Sequence, residues 1–130
     1  MLQWIVAAAG ALAGFFLSAP APFRLLVLLM ALDYASGFAA AMLGKSRNSP
    51  SGTLSSKVGF IGLAKKAMIL AIVFLAAVLD GIFSGTASVS AVTLFYIVNE
   101  SLSILENAVL LGVPIPKRLA RMLEVVQEKE

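Results

Sequence analysis

Cysteine and histidine are both absent from the chain. Without thiols there are no disulfides and no thiolate nucleophile, so the redox compartment is not readable. Without imidazole the commonest general base and the usual zinc ligands are gone as well. Charge is scarce: 13% of the 130 residues are charged against 60% hydrophobic, where a soluble domain carries about a quarter charged. A water-soluble surface cannot be built from that composition. A net charge of +3 is weak ground for a nucleic-acid partner. What remains is a mean hydropathy of +0.96, which points to one all-α unit embedded in a membrane.

The few charges are sorted. Arg24 stands in a short turn. Lys45, Arg47, Lys57, Lys65 and Lys66 crowd a central stretch without any acid, and Lys117, Arg118, Arg121 and Lys129 lie in the tail. The acids go the other way: Asp33, Asp80, Glu100 and Glu106 fall within hydrophobic runs, leaving Glu124, Glu128 and Glu130 for the tail. Cations mark the membrane's edge and acids its interior.

A hydrocarbon core about 30 Å thick needs about 20 helical residues. Four stretches come near that length: about 2–19, 25–43, 67–85 and 91–112, with a loop at 44–66 and a tail at 113–130. The expectation is therefore three to four transmembrane helices plus a short C-terminal amphipathic helix. Ser18-Ala19-Pro20-Ala21 loosely suggests a signal cleavage site, but the basic segment that should precede it is missing, which argues against cleavage. Gly10 and Gly14, and again Gly37 and Ala41, place small residues four apart, a spacing that lets another helix approach closely and that also arises by chance in Ala-rich spans. Asp33 is either a functional intramembrane acid or a protonated structural hydrogen-bonder. Gly44-Lys45-Ser46 mimics the end of a phosphate-binding loop, but Ala39 occupies the place of the required earlier glycine and no strand precedes it. From Ser55 the chain predicts a short juxtamembrane helix, with Lys57, Lys65 and Lys66 facing lipid phosphates. Asp80 is expected at the far interface.

The fourth stretch carries the anomaly. At about 100° per residue, Asn99, Glu100, Ser103, Glu106 and Asn107 share an arc of about 120°, with Tyr96 inside it. Gly112, Pro114 and Pro116 then stop the helix and restart it as a basic segment in which Leu119, Met122, Leu123 and Val126 follow helical spacing. Lys117, Arg118 and Arg121 of that segment face lipid phosphates. With four crossings the central loop, the tail and both termini face the cytoplasm, as the positive-inside rule requires. The stripe is also wide enough for this helix to lie flat in the interface.

An ionised side chain at a helix centre costs roughly 2.5–3.5 kcal/mol. With no cation read inside any span, internal salt bridges are not expected to offset it. Protonation, hydrogen bonds between helices, or water must do so instead. Copies packed side by side around a shared wet seam satisfy all three, so the expected seam or pore residues are Asn99, Glu100, Ser103, Glu106, Asn107 and Asp33. No nucleophile–base pair and no cofactor site is expected.

Leu32-Asp33-Tyr34-Ala35-Ser36-Gly37, the stretch from Ser55-Ser56-Lys57 to Gly62-Leu63, and above all FYIVNESLSILENAVLLGVPIPKRL resemble the phage holin family that includes the toxin-secretion holins of clostridia. The likeness covers about 25–123 in order and is densest at 95–119. It implies a phage- or prophage-encoded protein of the bacterial cytoplasmic membrane, not an enzyme. Such a protein self-associates among membrane lipids and permeabilises the membrane so that an endolysin or a secreted toxin can pass. From the residues alone, a small ion or proton channel or transporter subunit with Glu100 or Glu106 titrating stays open. So does a non-conducting lysis inhibitor or membrane anchor.

Overall fold

The computed structural model describes residues 1–129, and the backbone alone for Leu123 and 126–129. Five helices follow one another: α1 (Leu2–Ser18), α2 (Ala21–Met42), α3 (Ser56–Ile82), α4 (Ala87–Leu110) and α5 (Lys117–Lys129). Helices α2, α3 and α4, of 22, 27 and 24 residues, are long and apolar enough to cross a membrane. Helix α1 has 17 residues, about 25 Å at a rise of 1.5 Å per residue, and falls short of that length.

Local chemistry sets the boundaries. The break between α1 and α2 is only Ala19-Pro20, because Pro22 fits the first turn of a helix. Arg24 thereby belongs to α2 and not to a turn. The Ser55 hydroxyl accepts the backbone N–H of Val58 at 3.4 Å and caps α3. From there the helix runs unbroken through Gly59 and Gly62, so the juxtamembrane segment and the third span are one element. Gly44 and Gly52 adopt left-handed backbone at φ 71° and 75°, and a bond from the Ser46 N–H to the Gly52 carbonyl, 3.0 Å, closes the loop between them. Gly112 at φ 82° ends α4.

Each long helix turns a stripe of period near 3.5 toward the others. On α2 it is Leu26, Met30, Asp33, Gly37 and Ala40; on α3 Lys66, Val73, Ala76 and Asp80; on α4 Thr93, Glu100 and Asn107. Leu26, Met30 and Val73 form the core, with Phe23, Ile69, Leu70, Val89, Val92, Tyr96 and Ile97 around it. The interior is thus mainly apolar in the half near the α3–α4 turn, where Thr93 and Asp80 are the buried polar residues, and polar in the half near the α2–α3 loop. Tyr34 crosses to α3 where Gly59 and Gly62 leave room: a Cβ at Gly59 would stand 3.3 Å from its hydroxyl oxygen and one at Gly62 3.6 Å from its ring.

Helix α1 buries no residue, and nothing lies within 4 Å of where a Cβ at Gly10 or Gly14 would stand. That glycine pair packs no helix of its own chain. Gly37 does: a Cβ there would lie 3.6 Å from Nδ2 of Asn107, while Ala41 is half-buried beside it. In α5 the side chains of the apolar positions Leu123 and Val126 lie outside those described.

Asp80 stands two residues from the end of α3, at the far end of that span, and is buried inside the chain. Its Oδ1 accepts the Ser88 N–H at 3.1 Å and its Oδ2 the Val89 N–H at 2.8 Å. The carboxylate of α3 thereby satisfies two donors in the first turn of α4, where helix ends are electropositive.

Candidate functional site

The polar half of the interior is a single connected cluster. Lys66 enters because α3 begins at Ser56, which makes it the eleventh residue of a membrane helix and not the end of a loop. Counted at 1.5 Å per residue, Asp33, Lys66 and Glu100 each lie about 14–15 Å from the loop-side end of their helix. The three side chains therefore meet at one level.

The Lys66 ammonium donates to Oδ2 of Asp33 at 2.8 Å and to Oε2 of Glu100 at 2.7 Å. Side-chain exposures of 16%, 15% and 5% for Lys66, Asp33 and Glu100 put the triad inside the bundle. This corrects two expectations. Lys66 is not lipid-facing, and the buried acids do have internal cations. An α3 read from its first hydrophobic run loses the helical turns that carry Lys66 inward.

Asn107 links the triad to the loop. Its Nδ2 donates to Oδ1 of Asp33 (3.1 Å), to the Asp33 carbonyl (3.2 Å) and to the Ser36 hydroxyl (2.9 Å). The Ser36 hydroxyl in turn donates to the Asp33 carbonyl at 3.0 Å. From the loop, the Arg47 guanidinium donates to Oδ1 of Asn107 at 3.0 Å, to the Ser103 hydroxyl at 3.4 Å, and pairs with Glu106. The path runs Glu100–Lys66–Asp33–Asn107–Arg47–Glu106, from mid-span to the loop surface. Three carboxylates face two cations, and a fully ionised cluster carries one net negative charge.

Four of the five stripe residues on α4 belong to this cluster: Glu100, Ser103, Glu106 and Asn107, with Asp33 from α2. Asn99 does not. It points outward, is exposed, and makes no side-chain hydrogen bond among the described residues. The difference is angular, because Asn99 and Glu100 are adjacent in sequence and about 100° apart on the helix. Lys45, Lys57, Lys65, Lys117, Arg118 and Arg121 are exposed.

Lys66 and Arg47 are the residues that reading the sequence missed. A signal for Lys66 was available: it falls on the 3.5-residue stripe of Val73, Ala76 and Asp80, downstream of a capping serine. None was available for Arg47, whose direction depends on the loop closed by Gly44 and Gly52.

This arrangement can hold charge at membrane depth without exposing it to lipid. It offers no paired nucleophile and base, and among the described residues no group of acids could hold a metal ion.

A model of the bacteriophage holin family matches residues 10–128. An uncharacterised 14.9 kDa protein in the nagH 3′ region of Clostridium perfringens is 33% identical over 132 residues, covering 99% of this chain and 95% of that protein. An uncharacterised protein of Halalkalibacterium halodurans is 34% identical, covering 82% and 78%. Another from Listeria monocytogenes is 39% identical, covering 82% and 71%. No solved structure matches.

Proposed function

The chain belongs to the bacteriophage holin family, and from that premise we propose that its copies gather in a bacterial cytoplasmic membrane and open it to a phage-encoded muralytic enzyme or a secreted protein toxin. The observation that carries this reading is the polar half of the three-helix interior. A buried ion-pair network gains little over apolar packing of the same volume, so its retention in a lipid-embedded bundle calls for a second use. In a single copy, Asp33, Lys66, Glu100, Asn107, Arg47 and Glu106 satisfy one another. When α4 moves off α2, the same groups become a water-compatible wall that neighbouring copies can share.

In this reading the loop, α5 and most cations occupy the cytoplasmic side, where the positive-inside rule puts them. The gene is carried by a phage or prophage. Producing the chain in a bacterium with a cytoplasmic muralytic enzyme gives abrupt lysis and release of the enzyme. Unaltered growth with an intact membrane refutes it. The continuous hydrogen-bonded path from Glu100 to Glu106 also suits a proton conductor, and leakage confined to protons or small ions, with no enzyme released, would favour that reading. Harmless production that delays lysis by another holin would mark a non-conducting inhibitor.

A further inference from the structure

Asn99 is the residue that the cluster leaves out. It stands 12 residues from the first and 11 from the last residue of α4 (Ala87–Leu110), at the middle of the span. Phe95, Val98 and Leu94 beside it are 64%, 49% and 61% exposed, so its surroundings are the band of helix that meets acyl chains. Among the described residues it is the one exposed polar side chain in the middle turn of α2, α3 or α4. A primary amide facing hydrocarbon with no partner is strongly unfavourable.

The middle turn of a helix that spans a bilayer lies in hydrocarbon, and α1 does not cover it: neither α1 nor α5 ranks among the helices packed closely on α4. The partner must be another molecule that presents a donor and an acceptor at mid-membrane, aligned with α4. A second copy of this chain does so by identity, because an amide both donates and accepts and two related by a two-fold axis pair with each other. Polar side chains of this kind hold transmembrane helices together.

We propose that Asn99 joins two copies of this chain α4 to α4 at the centre of the bilayer, with Phe95 and Val98 packing around the amide pair. The contact rests on the holin reading for its setting in a membrane, and it supplies that reading's first step. Copies associate through the outward face while the inward cluster stays closed. The stripe is therefore two devices about 100° apart.

The absence of native cysteine makes the test direct. Phe95→Cys lies one turn from Asn99 on the same face and leaves the amide in place. Phe74→Cys, on α3 and 71% exposed against 64% for Phe95, is the control. The full chain, in membranes of cells without a muralytic enzyme, is oxidised with copper phenanthroline and disulfide dimers are counted. The expected result is several-fold more dimer for Phe95→Cys than for Phe74→Cys. Adding Asn99→Leu lowers it about 3- to 20-fold, the worth of one interhelical hydrogen bond, and adding Asn99→Gln retains it. Equal yields at the two cysteines, or no loss with Asn99→Leu, overturn the contact. Because no lysis is scored, a chain that permeabilises membranes yet fails here keeps its holin reading and loses Asn99 as the joint.

Discussion

Removing the Lys66 ammonium isolates two carboxylates that no other cation in the cluster touches. In Lys66→Met the stem volume is kept and only the charge leaves. Asp33 keeps the amide of Asn107, but Glu100, 5% exposed, is left facing only the Asp33 carboxyl. Breaking a buried pair from one side costs about 3–5 kcal/mol, and the low exposure of all three groups leaves little solvent screening to discount. At about 1.4 kcal/mol per tenfold, the ratio of folded to unfolded chain should fall by roughly two to three and a half powers of ten. The triple variant Asp33→Asn, Lys66→Met, Glu100→Gln removes every charge at once and should recover most of the loss, because an intact buried network is worth little over neutral packing. Titration of the detergent-solubilised chain with sodium dodecyl sulfate, followed by far-UV circular dichroism, measures both. A single variant as stable as the parent would show that the triad does not hold α2, α3 and α4 together. A triple variant no better than the single would show that the damage is packing and not charge.

Arg47→Ala should cost much less, about 1 kcal/mol or below in the same titration, because an exposed pair is screened and its side chain stays mobile. A loss equal to that of Lys66→Met would contradict the depth ordering of the cluster. Asp80→Asn should accelerate amide hydrogen exchange at Ser88 and Val89 while leaving Asn107 protected, which separates the cap of α4 from the polar cluster. Gly52→Ala should destabilise by about 1–3 kcal/mol, since its backbone is left-handed and an added Cβ would collide with the Gly44 carbonyl. The Arg47 contacts should loosen with it, visible as a chemical-shift change at the Asn107 side-chain amide.

The helical class, the three long spans and the basic tail were legible because they depend on composition and breakers, which are local. The α4 stripe was legible because helical geometry alone puts Glu100, Ser103, Glu106 and Asn107 on one side. Its facing direction was not. Asn99 and Glu100 belong to the same arc, and only the position of α2 decides that one turns inward and the other out. Lys66 was misplaced for a different reason. Lysine is read as a membrane edge marker, yet its long stem and the capped start at Ser55 carry it deep into the bundle. The role of Asp80 as a cap of α4 was not legible, because its partners are backbone N–H groups, which no side-chain pattern announces.

The order in which the cluster's parts occur along the chain has a consequence for biogenesis. Helix α4 brings two acids and two asparagines toward the bilayer, and inserting its carboxylates unaided would cost several kcal/mol. By the time it leaves the ribosome, α2, the loop and α3 have already been made, and with them Asp33, Arg47 and Lys66. The first hairpin therefore presents both cations, Lys66 at depth and Arg47 at the rim, before either acid of α4 arrives. Insertion of the last span is then a docking event onto a charged receiver. A chain whose α2–α3 hairpin fails to form would leave α4 stranded at the membrane surface.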